Sequence, residues 1–463
     1  MQDTPSQPID NRSYNLEHAP IGKLLRNYAI PAVVGTMVNS LYNVVDRIFI
    51  GQGVSALAIS GLAVTFPILI FLQAFGILVG AGASARISIY LGQKNRESAE
   101  RLLGNAFVLS VLLSTSTIAL CYIFMDKLLL GFGASEVTLG YAREYLEIAL
   151  PGNIFANLCF SYNNIMRASG YPKKAMVTML IGAVLNTILD PIFIFVFDMG
   201  IRGAAIATVF SMFIGMCYVM RHFVSKESLI RIRVQNFKLQ KKYVLAILSI
   251  GMAPFTIQLT ASTVSVILNN SLQTYGGDYA VGAYGIQHSF AMIIVMLIFG
   301  VSHGMQPIIG YNYGAGNLHR VRETFKIASR INLLIGFIGF LLAMFFPHYI
   351  SRAFTTDPEM EKVAVPALRI ILLVFWGVGY QITVTQFFQS IGKAAKAMIL
   401  SLSRQVFFLI PLIIFLPRFY GLDGVWIATP IADFTALIFS IFMYRSWARR
   451  IVESKAPSQV SGE

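Results

Sequence analysis

The sequence RASGYPKKAM at residues 167–176 returns as QSIGKAAKAM at residues 389–398, at an offset of 222 positions. GIRGAAIAT at residues 200–208 similarly returns as GLDGVWIAT at residues 421–429, one position out of step. A repeat of this length in a strongly apolar chain is typical of membrane proteins built from two homologous halves. These stretches therefore predict a duplicated fold.

The composition of the chain indicates that its solvent is lipid. Apolar residues make up 56% of the sequence and charged residues only 13%, whereas about a quarter of the residues of a soluble domain are charged. Apolar runs with helical periodicity occur twelve times, each near the roughly 20 residues that cross a bilayer. They lie at residues 27–50, 57–83, 102–124, 141–166, 175–197, 202–224, 243–271, 281–308, 325–346, 363–390, 397–417 and 424–446.

The repeat and the apolar runs together predict the architecture. We expect an all-α integral membrane protein with twelve transmembrane helices in two six-helix lobes. Because each half has an even number of spans, the lobes should be related by pseudo-two-fold symmetry along the membrane normal. The predicted segments are a polar N-terminal segment (1–20), an N-lobe (21–224), a linker (225–242), a C-lobe (243–447) and a tail (448–463).

The distribution of charge predicts the orientation. Most of the 36 basic residues fall in the N-terminal segment, in the loops after even-numbered spans and in the tail. By the positive-inside rule these segments, and therefore both termini, are cytosolic. The net charge of +14 then reflects membrane topology, because the basic residues are scattered over short loops and do not form a surface for nucleic acid.

The chemistry is expected where polar residues occur within the apolar spans. Asp46 lies near the outer end of span 1, and Asp190 lies about two turns before the outer end of span 5. Asn186 shares a helix face with Asp190, and Thr208 of span 6 comes to a similar depth. Carboxylates at membrane depth are costly and normally face a partner or a wet cavity. These oxygens can coordinate a cation such as sodium or share a proton, and the alternative is a purely structural polar cluster.

Residues on the same helix faces suggest a substrate path on the cytosolic side of this group. Asn39, Met179 and Met212 lie two turns or less from the polar residues, and Asn163 lies low in span 4. Flexible methionine side chains suit surfaces that accept varied shapes. Ordinary helix packing is the alternative for each of these residues.

The second half offers a different set of charges. Asp433 is the acid well inside its spans, and Arg404 of span 11 can form a structural or gating pair with it. His288 and His303 of span 8 titrate near neutrality when unperturbed, although a structural role explains them equally. This asymmetry predicts that ion coupling is confined to the first half.

No motif in the chain predicts catalysis. Gly314 and Gly316 follow a span and lack the Lys-Ser/Thr pair of a nucleotide-binding loop. Cys121, Cys159 and Cys217 all lie within apolar spans, which predicts neither a disulfide framework nor a metal site. We therefore expect a monomeric protein without enzymatic activity or a bound cofactor, whose partners are small molecules and membrane lipids but not nucleic acid.

Four stretches of the chain carry a resemblance to a known family. SLYNVVDRIFIG at 40–51, NTILDPIFI at 186–194, GAAIAT at 203–208 and QPIIGYNYGAGN at 306–317 resemble motifs of the MATE (multidrug and toxic compound extrusion) transporters, in particular the MepA-like bacterial branch. The resemblance extends from about residue 20 to 447. It implies a twelve-helix exporter of organic cations in a bacterial cytoplasmic membrane, driven by H⁺ or Na⁺.

By this resemblance Asp46, Asn186, Asp190 and Thr208 correspond to the family's first-lobe cation site. The span 7 acid of the NorM-like members is missing, since residues 249–271 contain no carboxylate, and its absence favours proton coupling. A flippase for lipid-linked precursors, from the same superfamily, is the alternative function. It would need several cationic residues in the central cleft to hold pyrophosphate.

Overall fold

A computed structural model describes residues 11–53, 56–132, 136–355 and 357–453 of the chain. Within these ranges every regular element is a helix. A helix satisfies its backbone hydrogen bonds within one segment, as lipid requires of a spanning element. The predicted all-α class is confirmed.

Within the described ranges, twelve of the helices match the twelve predicted spans. The first half contributes α1 (Ile21–Gly53), α2 (Ala56–Gly92), α3 (Arg96–Ile123), α4 (Glu136–Ala168), α5 (Pro172–Pro191) and α6 (Gly200–Val224). The second half contributes α7 and α8, which share the stretch Lys241–Gly314, then α9 (Leu318–Phe345), α10 (Pro358–Ile371 with Phe375–Ser390), α11 (Ala394–Leu402 with Ile410–Phe415) and α12, which lies within Pro417–Glu453.

Length and apolarity account for ten of these helices. Among the described residues, eight helical stretches are long and apolar enough to cross a membrane, or nine when the two pieces of α10, bent by 51°, count as one span. The stretch Lys241–Gly314 has 74 residues and breaks at Gly277, whose φ is 64° and ψ −162°, so it makes two spans. The less apolar helices α1 and α4, of 33 residues each, are long enough to span and complete the set.

The turns reproduce the sequence repeat in the backbone. Among the described residues, three of the four positive φ angles in each half fall at matching positions: Lys94, Gly170 and Gly200 in the first half and Gly316, Gly392 and Gly421 in the second. The first two pairs are 222 positions apart and the third 221. Hydrogen bonds repeat as well: the N–H of Asn95 donates to the carbonyl of Tyr90 over 2.9 Å, and that of Asn317 to Asn312 over 2.8 Å. The duplication predicted from the sequence is confirmed.

The fifth helix of each half also widens into a π-helix. Helix α5 continues as the π-helical turn Ile192–Val196, and α11 contains the π-helical segment Ser403–Leu409. Such turns are rare and often occur at functional sites. In α5 the change follows Pro191, which has no N–H to donate to the preceding turn.

The chain divides into two compact units. The first comprises residues 1–262, 299–328 and 387–395, and the second comprises residues 263–298, 329–386 and 396–463. The first unit thus holds α1 to α6 together with one end of each of α7 to α11, at residues 241–262, 299–328 and 387–395. We call the side of the unit on which these ends and the linker lie the linker end. The predicted lobe boundary at 225–242 stays a prediction.

Candidate functional site

Helices α5 and α6 bring three of the predicted residues into one hydrogen-bonded group. Asn186 and Asp190 are four positions apart on α5, so their side chains share a face. The Nδ2 of Asn186 donates to Oδ1 of Asp190 over 3.1 Å and to Oγ1 of Thr208 over 3.2 Å. Asp190 is 0% exposed and Asn186 is 2% exposed. The amide therefore links two helices in the interior of the first unit.

Helix α1 supplies the second acid of this group. The carboxyl group of Asp46 lies within side-chain hydrogen-bonding range of Asp190 and interacts with it electrostatically. Two ionised carboxylates at this separation repel each other, and burial disfavours the charged form of both. A proton shared between them, or a cation held by both, removes the repulsion. The arrangement is suited to binding one of the two.

The hydrogen bonding of the group is incomplete. Among the residues that the structure describes, Oδ2 of Asp190 and Oδ1 of Asn186 have no hydrogen-bond partner. The interactions of Asp190 are with Asp46 and Asn186, and no Lys or Arg of the described part of the chain takes part in them. Buried polar atoms are normally paired. These two oxygens are therefore available as acceptors for a proton carrier or as ligands for a small cation.

An apolar layer lies one helical turn from the acids, on the side away from the linker end. It consists of Ile50, Ile194 and Ala204, each four positions along its helix from Asp46, Asp190 or Thr208, together with Ile201, Leu62 and Tyr145. Apolar surroundings lower the local dielectric and raise the free energy of an uncompensated charge. The layer therefore favours a neutral or cation-loaded state of the acid pair.

The predicted substrate-path residues have different surroundings. The side chain of Asn39 lies outside the described residues. Met179 packs against α1, where a methyl group added at Gly35 would lie 2.6 Å from the Met179 sulfur. Asn163 is buried, and its Nδ2 donates to the carbonyl of Ala175 over 2.7 Å. Met212 is half-buried. Contact of these residues with a substrate stays a prediction.

The second unit contains the expected polar pair. The Nε of Arg404 on α11 donates to Oδ1 of Asp433 on α12 over 2.5 Å. The Asp433 side chain is 4% exposed and that of Arg404 31% exposed. Tyr284 of α8 interacts with the guanidinium and also packs 5.8 Å from the ring of His288. The acid of the second unit is thus neutralised by a cation of the same chain.

One buried charge was not singled out by the sequence analysis. Arg167, near the end of α4, is 6% exposed and is hydrogen-bonded only by the neutral amides of Asn163 and Asn164 among the described residues. In the sequence it belongs to a repeated turn motif at the end of a span, where basic residues are ordinary. The apolar run that precedes it gives no sign that the guanidinium is enclosed.

Comparison with known proteins shows the family of the chain. The family model MatE matches residues 31–192 and 254–415. The two matches are of equal length and cover most of both halves of the repeat.

Proteins related over nearly the whole chain give the same result. The chain is 28% identical over 449 residues to the "Multidrug export protein MepA" of Staphylococcus haemolyticus, covering 96% of this chain and 98% of that protein. It is 27% identical over 439 residues to the protein of that name from Staphylococcus aureus strain MSSA476, covering 94% and 96%.

Solved structures share the fold. One is described as the outward-facing conformation of a multidrug resistance MATE family transporter, with a TM-score of 0.89, 24% identity and coverage of 97% of this chain and 99% of that chain. Another, of MATE in complex with MaD3S, has a TM-score of 0.88, 25% identity and coverage of 96% and 98%. The twelve-helix fold class is therefore confirmed.

Proposed function

This chain belongs to the MatE family, and on that premise we propose that it is a secondary active exporter of small organic molecules, chiefly lipophilic cations, driven by an inward flow of protons. Its relatives are named as multidrug export proteins. The basic loops favour a cytosolic linker end, with both termini in the cytosol. The proposed location is the cytoplasmic (inner) membrane of a bacterium.

The observation that carries this proposal is the buried carboxyl group of Asp190, which lies within hydrogen-bonding range of the half-buried Asp46. In the described part of the chain Asp190 interacts with Asp46 and Asn186, and neither supplies a positive charge, so neutralising the Asp190 carboxylate requires a proton or a cation from solution. A site that must load a cation from solution can couple that cation to another ligand, provided that the two ligands favour different conformations. A tethered positive charge would remove this requirement.

The proposed cycle follows from that coupling. When the protein opens toward the cytosol, the acid pair is unloaded and the organic cation binds. Proton binding from the outer side then neutralises Asp46 and Asp190, favours the other packing of α1 against α5 and α6, and weakens the binding of the organic cation. The organic cation is then released to the outside. Release of the proton to the cytosol returns the protein to its starting state. Each step needs differential affinity and no covalent chemistry.

A proton is favoured over sodium as the coupling ion. The carboxyl groups lie close enough to share a hydrogen bond, which a proton completes. Sodium would have to use the same carboxylates together with the Asn186 and Thr208 oxygens. Helix α7 offers no acid between residues 249 and 271 for a second cation. If a sodium gradient drives export at constant pH on both sides of the membrane, the coupling ion is sodium and not the proton.

Efflux of a fluorescent lipophilic cation from energised cells tests the proposal, with the native chain compared with Asp190→Asn at equal membrane abundance. We expect efflux by the native chain and none by the variant, because the amide cannot take part in proton sharing. Asp198→Asn is the matched control: it makes the same chemical change at an exposed position eight residues further along. It should export like the native chain.

Other outcomes redirect the function. Normal efflux by Asp190→Asn would contradict coupling through this acid. Absence of efflux by the native chain would contradict drug export, and transfer of a labelled lipid-linked precursor in liposomes would then support the flippase. Against the flippase stands the pairing of Arg404 with Asp433, which leaves that guanidinium neutralised rather than free to hold pyrophosphate.

A further inference from the structure

A second polar group lies at the linker end of the first unit, and we call it the axis cluster. It comprises Ser84 of α2, Asn163, Asn164 and Arg167 of α4, and His303 and Gln306 of α8. The Nε2 of Gln306 donates to Oγ of Ser84 over 3.3 Å, and these residues are 222 positions apart. They are therefore equivalent positions of the repeat in direct contact. Equivalent positions meet only near the axis that relates the two halves, so this contact lies at that axis. His303 interacts with both Gln306 and Arg167 and so connects the contact to the arginine.

The charge of Arg167 is not compensated within the cluster. Its Nη2 donates to Oδ1 of Asn163 over 3.1 Å and to Oδ1 of Asn164 over 3.2 Å, and both acceptors are neutral. Among the described residues, Nη1 and the Nδ1 of the neighbouring His303 have no hydrogen-bond partner, and no carboxylate interacts with the guanidinium. A buried, unpaired charge costs folding free energy. Stability alone is therefore a weak reason for this arginine.

The helices next to the cluster are in backbone contact. A methyl group added at Gly92 of α2 would collide with the carbonyl oxygen of Tyr311 of α8, and one added at Gly314 of α8 would collide with that of Ile89. These are the same contact seen from each half, because both pairs of positions are related by the 222-residue offset. Only glycine permits this approach. The two helices leave no room for solvent between them at these points.

We propose that Arg167 is a fixed-charge barrier that keeps cations from crossing the linker end while it is closed. Close packing excludes bulky substrates, but protons and small cations pass through narrower and transient defects. A permanent positive charge close to the axis opposes each of them. The proposal rests on the proposed function, because such a barrier is of use in a protein that exchanges one cation for another.

Electrostatics gives the expected size of the effect. Repulsion between two unit charges grows as the dielectric falls, and burial of Arg167 reduces screening by water and salt. At a separation of about 10 Å and an effective dielectric of about 20, the repulsion lowers the occupancy of a passing cation roughly tenfold. A single arginine excludes cations in other membrane pores in this way. A purely structural Arg167 would hold the end of α4 without affecting leak.

Passive leak in liposomes separates these roles. Purified protein is reconstituted without substrate, a potassium diffusion potential is imposed with valinomycin, and proton entry is followed with an internal pH dye. Arg167→Gln should raise the proton leak per protein roughly tenfold, whereas Arg167→Lys keeps the charge and should stay near the native leak. A proton leak of Arg167→Gln no higher than that of the native chain would overturn the proposal, as would equal leaks for the Gln and Lys variants.

Asn163→Asp provides a second route that leaves Arg167 in place. The new carboxylate has nearly the size of the amide and keeps the acceptor for Nη2, while it gives up the amide's donation to the Ala175 carbonyl. It should neutralise the guanidinium and raise the leak toward that of Arg167→Gln. If the proton leak of Asn163→Asp equals that of the native chain, the barrier is contradicted. This holds even if Arg167→Gln does not fold.

Drug export by the native chain in the same liposomes keeps the two proposals distinguishable. If the native chain exports the drug and Arg167→Gln leaks no more protons than the native chain, the barrier is contradicted and the proposed function still holds. No export by the native chain would overturn the proposed function, and the leak measurement would still decide whether Arg167 excludes protons.

Discussion

The two units both bury carboxylates among apolar helices, but they compensate the charge differently. In the first, Asp46 and Asp190 face each other, and the remaining partner of Asp190 is the neutral amide of Asn186. In the second, Asp433 accepts from Arg404 over 2.5 Å. An acid with a tethered cation needs nothing from solution, whereas an acid pair must take up a proton or a cation. This difference predicts that ion coupling is confined to the first unit.

The difference lies in side chains rather than in the backbone. Turns and their hydrogen bonds repeat from one half to the other. The residues 222 positions after Asn186 and Asp190, however, are Phe408 and Leu412, which carry no polar group. The duplication gives both halves a similar backbone, and the side chains at a few positions determine which half carries polar groups there.

Giving the first unit its own tethered cation should have the largest effect. Asn186→Lys places an ammonium one turn from Asp190, which converts the pair to the arrangement of the second unit. We expect proton-driven uptake of a fluorescent cation into inverted vesicles to fall about 100-fold, near the upper end of ordinary coupling free energies. Asn186→Gln, a neutral and similarly long side chain, is the control. Uptake by the Lys variant at the level of the Gln variant would show that a free acid pair is not required.

Removing the acid of the second unit should reduce stability rather than coupling. Asp433→Asn leaves the Arg404 guanidinium without its counter-charge. The Arg404 side chain is 31% exposed, so the unpaired charge costs less free energy than a fully buried one would. We expect the free energy of unfolding in mixed micelles to fall by about 2 kcal/mol, with export per folded molecule retained. Loss of export from a stably folded variant would place Asp433 in the coupling machinery and break the comparison.

A smaller effect should follow from removing the acceptor on α6. Thr208→Val keeps the shape of the side chain but leaves one N–H of the Asn186 amide without its partner. The loss of one buried hydrogen bond costs about 1 kcal/mol, so export at a fixed proton gradient should fall about fivefold. Thr208→Ser, which keeps the hydroxyl, should restore the native rate. Equal rates for the Val and Ser variants would remove Thr208 from the site.

Much of the fold and of this site could be predicted from the sequence, for identifiable reasons. The helical spans follow from runs of apolar residues, and the Asn186–Asp190 contact follows from a four-residue spacing within one helix. The pair Arg404 and Asp433 was predicted because two opposite charges inside apolar spans need each other. Such patterns are local or are forced by the cost of charge in lipid.

The remaining features depend on tertiary packing. The surroundings of Arg167 include His303 of α8, which is distant in sequence, and no local pattern encodes that contact. Met179 occupies space that Gly35 leaves on another helix. The π-helical segments of α5 and α11 reflect how each helix fits its neighbours, although Pro191 marks one of them. Sequence periodicity locates a helix face but not what lies across from it.

Proton release on drug binding tests most directly whether coupling is confined to the first unit. A lipophilic cation is added to purified protein in weakly buffered detergent solution, and the pH change is recorded for the native chain, Asp190→Asn and Asp433→Asn. We expect about one proton per bound molecule from the native chain and from Asp433→Asn, and none from Asp190→Asn. Undiminished release by Asp190→Asn, or loss of release in Asp433→Asn, would contradict the assignment of coupling to the first-unit acids.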